Sequence, residues 1–250
     1  MNAVVILWSM VSAVALTMGG IHLVVWCKSR LWASLAFSVA AISVSLIAMS
    51  ELAMMHTADP DRFGRIIQLT HIPVFTLFCG FIIFIRLLLG GSWWFAFAIL
   101  ALRFFSLLLN FAFPPNINYT EIVSLRAIDF LGQSVHVVGE AVGNPLLPIA
   151  EVSIVLTLVF TLGAMRSCWR RNGPGDRRKA LFIGGPYVMY VAIMLALSML
   201  LHRGVIQMPY LISILFLFII VIMGYELSRD VIESARLSGQ LKENLASMKL

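Results

Sequence analysis

Long apolar runs, broken by short clusters of charge, glycine and proline, set the rhythm of this chain. Seven of them approach or exceed the roughly 20 residues that a helix needs to cross about 30 Å of hydrocarbon. The first extends from Asn2 to Cys27 and stops at Lys28-Ser29-Arg30. It lacks a basic start and is too long for the apolar region of a signal peptide, so it reads as a retained helix. The second, about Leu31 to Met55, ends at His56, before Asp59-Pro60-Asp61, where Pro60 cannot continue a helix. The third covers about Ile66 to Leu89 and turns at Gly90-Gly91. The fourth, Trp93 to Phe113, stops at Pro114-Pro115. The fifth starts near Pro148 and reaches Cys168, the sixth runs from about Ala180 to Leu201, and the seventh from Pro209 to about Tyr225. No internal repeat stands out.

Between the fourth and fifth runs lies a more polar stretch, Pro114 to Pro148, with Asn116, Asn118, Glu121, Asp129 and several glycines. It reads as a long loop, with a short helix expected around Tyr119 to Phe130. Loops of that length are often functional. Beyond Tyr225 the chain becomes amphipathic. Leu227, Val231, Ser234, Ser238, Leu241, Leu245 and Met248 follow a 4-3 spacing, the seam of a two-stranded coiled coil. Two serines weaken that seam, and a helix lying on lipid headgroups is the competing reading. The chain stops at Leu250 within this helix, so the parent protein is expected to continue.

Composition agrees with the membrane reading. Of 250 residues, 60% are apolar and only 12% charged, and the mean hydropathy is +0.95. Soluble domains carry about twice that share of charge. No stretch is left over for a separate soluble domain. The net charge of +6 and pI near 9.6 would suit nucleic acid, but the basic residues lie between apolar runs. That placement marks loops facing anionic lipid and excludes nucleic acid as the partner. With the N-terminus outside, the inner loops hold nine basic residues, from Lys28 and Arg30 to Arg177, Arg178 and Lys179. The outer loops hold four, Arg62, Arg65, Arg126 and Arg203. The bias predicts an outer N-terminus, an outer long loop and a cytoplasmic tail. Cys27, Cys79 and Cys168 are too few for a disulfide framework and read as inert thiols.

Ionisable groups inside a membrane are costly, about 2.5 to 3.5 kcal/mol for a mid-span Arg on insertion scales, and are the first candidates for function. Arg103 lies near the middle of the fourth span, with Glu51 or Glu151 as the acidic partner nearest in depth. An interhelical ion pair or a snorkelling side chain would explain it structurally. Glu51, His56, His71, His136, Glu140, Glu151 and His202 all fall in the outer layer. Such a set could bind a metal, a haem edge or a protonated ligand, with His56, His71 and His202 as the metal candidates. No tight ligand spacing such as HExxH is present. His22, nearer the inner end, reads as a packed histidine. A lysine for a retinal Schiff base, a P-loop, a serine elbow and a dinucleotide fingerprint are all absent from the sequence.

Three stretches resemble the N-terminal seven-helix sensor region of bacterial membrane-bound histidine kinases. One is Glu51-Leu-Ala-Met-Met, followed by Gln68-Leu-Thr-His71-Ile-Pro73-Val-Phe. The second joins Leu109-Asn110-Phe to Pro115-Asn116-Ile-Asn118-Tyr-Thr-Glu121-Ile and Gly143-Asn144-Pro145. The third, Met223-Gly224-Tyr225-Glu226-Leu227-Ser228-Arg229-Asp230-Val231, looks like the junction between a last span and a coiled coil feeding a PAS or kinase domain. The resemblance implies a dimeric sensor with a ligand-facing outer half and a response regulator downstream. It carries over Glu51, His71, Arg103, Asn110, Asn116 and Glu121 as site candidates, and Tyr225, Glu226, Arg229 and Asp230 as a relay. The phosphoacceptor histidine and the ATP-binding domain are missing, so kinase activity belongs to a longer parent and this chain is not an enzyme by itself.

The expected architecture is therefore all-α: a seven-helix transmembrane bundle over residues 1–225, with the outer loop at 114–148, and a cytoplasmic signalling helix over 226–250. The bacterial inner membrane is the expected location, with membrane lipid and a second copy of the chain, paired through the tail, as partners. No cofactor is demanded. A haem- or quinone-binding redox protein using His56, His71 and His202 is the alternative, followed by a small transporter.

Overall fold

The computed structural model describes residues 2–171, 173, 175–202 and 204–247; side chains are described to Arg229, apart from His202, and beyond it only at 232, 236 and 240. Helices α1 (Ala3–Ser29), α2 (Trp32–Met55), α3 (Pro60–Leu89) and α4 (Trp93–Ala112) lead to a β-hairpin of β1 (Tyr119–Phe130) and β2 (Gln133–Gly143). Helix α5 (Leu147–Arg170) follows. A short α6 (Asp176–Lys179) then passes through a π-helical turn, Ala180–Gly184, into α7 (Gly185–His202), and α8 runs over Ile212–Ser247. Counting α6, the turn and α7 as one rod, seven helices among the described residues are long and apolar enough to cross a membrane. Successive rods reverse direction. The ends of α2, α4 and α7 and the starts of α3, α5 and α8 therefore gather with the hairpin, at what is called here the hairpin end.

The bundle has the polarity of a protein in lipid. On α4, Trp94, Phe97, Phe104, Phe105 and Leu108 are exposed, whereas Arg103, Ser106 and Asn110 face inward with Ala96 and Ile99. Lipid tails give no hydrophobic drive to helix pairing, so small residues and hydrogen bonds take that part. Helix α2 is the centre of this packing and is rich in buried Ala and Ser. The Ser38 hydroxyl donates to the Gly19 carbonyl of α1 at 2.7 Å, and Ser43 shares a 2.7 Å bond with Thr76 of α3. A Cβ on Gly80 of α3 would stand 2.7 Å from the Ala36 carbonyl oxygen, so only glycine allows this approach. His22 is packed against the Phe37 ring with centroids 4.6 Å apart, as its sequence position implied.

Three expectations need correction. The third helix starts at Pro60, six residues before the predicted apolar run, because Asp59 caps it through the Asp61 N–H and Pro60 occupies its first position. Proline there stops the preceding helix and opens the next. The segment 119–130 is not a helix but a strand, so the chain is mostly helical rather than all-α. Its partner is joined through Leu131 and Gly132, with φ of 55° and 73°, the backbone of a two-residue hairpin turn with both φ positive. Three register shifts, at Tyr119/Glu121, Ile122/Ser124 and Ser124/Leu125, bend the hairpin over the bundle. Buried Tyr119 and Ile122 pack there on Phe63 and Ile67 of α3 and Met54 of α2. Finally, Arg103 has neither expected acidic partner. Glu51 is held elsewhere, and no carboxylate among the described residues pairs with Arg103.

Helix α8 continues through Gly239 without a break to Ser247. At about 1.5 Å per residue, its 36 residues span about 54 Å, well beyond the hydrocarbon thickness. Leu227 is the one seam residue whose side chain is described, and it is buried in the main core. The remaining seam side chains lie outside the described residues.

Candidate functional site

Two cavities open side by side at the hairpin end. The first, of about 160 Å³, is bounded by α3, α4, α5, α7 and the start of α8. Its walls are chiefly apolar and aromatic: Val74, Leu77, Phe78, Tyr187, Tyr190, Met194 and Phe216. Arg103, His71 and Glu151 bring charge or polarity to it. Arg103 is only 7% exposed. Its Nη1 donates to the Ala150 carbonyl at 3.3 Å and to Ser153 Oγ at 3.1 Å, and its guanidinium lies 4.2 Å from the Phe78 ring centroid. Backbone carbonyl, hydroxyl and ring face thus take the place of the anticipated carboxylate. Tyr190 and Phe216 meet edge to face, with centroids 4.5 Å apart, so the cavity wall touches α8 directly.

The second cavity, of about 300 Å³, lies between the hairpin and the loop before α8. Glu51, Tyr119, His136, Glu140 and Tyr210 line it, and it shares Met54, Leu201, Met208, Pro209 and Tyr210 with the first. Glu51 is 1% exposed, yet every donor it needs is present. Trp8 Nε1 of α1 donates to it at 2.9 Å, the Ser213 backbone N–H at 3.2 Å, and the Ser213 hydroxyl closes the set. Above it, the Tyr119 and Tyr210 hydroxyls are 3.4 Å apart, and burial pushes the Tyr119 phenol above its usual value.

The hairpin is tied down by asparagines. Asn116, fully buried, donates to the Gly64 carbonyl at 3.2 Å and accepts the Asn118 and Tyr119 N–H groups, each at 3.0 Å. Asn144 donates to the Asn116 carbonyl at 3.1 Å. Asn110 donates to the Gln68 carbonyl at 2.9 Å and accepts the Ile117 N–H, while Gln68 donates back to the Asn110 carbonyl at 3.0 Å. Asn110, Asn116 and Asn144 therefore position the site rather than line it.

The predicted outer layer thus divides. Glu51, His136 and Glu140 share one cavity, and His71 and Glu151 share the other with the mid-span Arg103. Glu121 and His56 are exposed and line neither. His56 and His71 each hold a carbonyl of their own helix through Nδ1 at 2.9 Å, Leu52 and Ile67 respectively. The His202 side chain lies outside the described residues. Among those described, no three His, Cys, Asp or Glu side chains converge as a metal site. In the stretch expected to serve as a relay, Tyr225 and Arg229 are exposed, the Asp230 side chain lies outside the description, and Glu226 is buried. Glu226 accepts from Arg178 of α6 at 2.7 Å, which ties α8 to the neighbouring rod at the far end. The sequence had not singled out Trp8, Ser153, Tyr187, Tyr190 or Ser213. A serine or tyrosine within an apolar run carries no mark of which face it will occupy. Neither a protein-family model nor a curated protein matches this sequence.

Proposed function

We propose that this chain is the signal-input region of a bacterial sensor histidine kinase, taking its cue in the cavities at the hairpin end and passing it along α8. The observation that carries this reading is that α8 is both wall and exit. Its first residues, Ile212 and Phe216, close the Arg103 cavity, Ser213 is held by Glu51, and the same helix runs unbroken to Ser247. A ligand that binds two packings of α8 unequally shifts the balance between them. Helix displacements of about 1–2 Å are the usual scale of such switches.

The distribution of charge supports an orientation. Lys28, Arg30, Arg170, Arg171, Arg177, Arg178 and Lys179 cluster away from the hairpin, which favours that end in the cytoplasm of the bacterial inner membrane and the hairpin outside. The 4-3 spacing from Leu227 onward supports pairing of two copies through the tail, ahead of PAS or kinase domains in the parent and a response regulator beyond them. Tyr225, Glu226, Arg229 and Asp230 then form the junction, with Arg178–Glu226 as a restraint on its position.

A Gly-Pro insertion after Arg229 in the longer parent tests the reading. It breaks the helix between input and output and leaves both cavities intact. The expected result is a kinase whose phosphorylation level no longer follows the cue. Unchanged signalling overturns the proposal.

A further inference from the structure

The Arg103 guanidinium makes no direct ion pair with a carboxylate among the described residues, although Glu151 lines the same cavity. An arginine side chain stays cationic in proteins. Here Nη1 makes both hydrogen bonds, to Ala150 and Ser153, and both acceptors are neutral. Nε and Nη2 donate to no group among the described residues. The Phe78 ring covers the guanidinium face at 4.2 Å, so the free edge of the planar group is the part left to serve the cavity it lines.

We infer that this cavity takes a small monocarboxylate with an apolar body, its carboxylate on Arg103. The inference rests on reading the cavity as the sensory site and names the chemistry of its ligand. Three features select that class. A guanidinium presents parallel N–H groups that match the two oxygens of a carboxylate. Among the described residues Arg103 is the single arginine or lysine lining the cavity, so one carboxylate finds a cation and a second negative charge does not, the more so with Glu151 in the same wall. The other walls, Val74, Leu77, Met194 and Phe216 among them, offer apolar contact to the remainder. Size sets the limit: at about 160 Å³ the cavity resembles apolar cavities of about 150 Å³ that admit benzene, so an apolar body of about six carbons fits, and the residues it shares with the adjoining cavity mark where a longer chain extends. Benzoate meets that limit, and octanoate is such a longer chain.

The test is photolabelling of the full chain in lipid nanodiscs with diazirine-bearing octanoate, octanol and octylamine, the labelled residues being mapped by mass spectrometry. The octanoate probe is expected to label cavity residues such as Tyr190 or Met194. Unlabelled octanoate should displace it at concentrations at least about tenfold below octanol, the loss expected from one charge-assisted bidentate contact. Arg103→Gln should lose that preference and Arg103→Lys keep part of it. Met194→Trp, which fills the cavity and leaves Arg103 in place, should abolish labelling there, so the test survives if Arg103→Gln fails to fold. Equal or better displacement by octanol or octylamine overturns the carboxylate assignment while leaving the cavity as a receptor site. Failure of all three probes to label the cavity overturns that reading as well.

Discussion

The carboxylate of Glu51, near the end of α2, accepts both the backbone N–H and the hydroxyl of Ser213, in the first turn of α8. The two residues are 162 apart in sequence, and the contact places a buried acid where α8 has unsatisfied N–H groups. The positive end of the helix dipole favours an anion at that position. Trp8 of α1 donates to the same carboxylate at 2.9 Å, so three rods meet on one side chain.

Glu51→Ala leaves the Trp8 and Ser213 donors without partners. At about 1–3 kcal/mol for each of the three buried donors left unpaired, a loss of about 3 kcal/mol or more is expected, with Glu51→Gln clearly milder because an acceptor remains. Thermal unfolding in detergent micelles checks this. Equal melting of Glu51→Ala and the unaltered protein contradicts it.

Asn116→Ala should free the hairpin before it unfolds the bundle. The substitution removes the bond to Gly64 and the turn that accepts the Asn118 and Tyr119 N–H groups. Hydrogen exchange at 118–122 should rise by about tenfold or more, as expected for about 1–3 kcal/mol of lost polar contacts, while exchange within α2 stays slow. Uniform acceleration throughout the chain contradicts a local anchoring role.

Gly80→Ala should separate α2 from α3, since its Cβ meets the Ala36 carbonyl at 2.7 Å and the Ala40 nitrogen at 2.9 Å. Overpacking of this kind costs about 1–3 kcal/mol. Gly20→Ala is the control, because nothing lies within 4 Å of the Cβ it would add. Similar stability of the two variants removes the argument from close approach.

The spans were legible in the sequence because hydrocarbon thickness acts on every one of them in the same way. The hairpin was not. Tyr119, Ile122, Leu125 and Ile128 recur every three residues, which imitates a helical face. The bulges explain it: each extra residue in β1 shifts the alternation, so Tyr119 and Ile122 both reach the core with a spacing of three. The signal that could have corrected the reading was the β-branched content of 119–137 together with Leu131-Gly132. For Arg103, depth in the membrane was readable but rotation about the helix was not. Depth put Glu51 and Glu151 level with it, whereas packing placed Ala150, Ser153 and Phe78 around it.

At the far end, Arg178→Gln should loosen α8 without endangering the fold. The Arg178 side chain is 40% exposed, so solvent screens the 2.7 Å pair, and about 0.5 kcal/mol is its expected contribution. Arg178→Glu combined with Glu226→Arg should restore what either single change loses. Proteolysis rates of α8 beyond Arg229 provide the readout, and identical rates in single and double variants contradict the restraint.

The decisive measurement is the distance across the far end when only the hairpin end is altered. Spin labels at Val24→Cys on α1 and Tyr225→Cys on α8, both exposed sites, report it by electron–electron resonance once Cys27, Cys79 and Cys168 are replaced. Met194→Trp fills the Arg103 cavity. If α8 carries the state of the cavity through the membrane, the distance distribution shifts by about 1–2 Å or changes its two-state balance. Superimposable distributions, in a variant shown to be folded and filled, would mean that the cavity and the exit of α8 are not coupled.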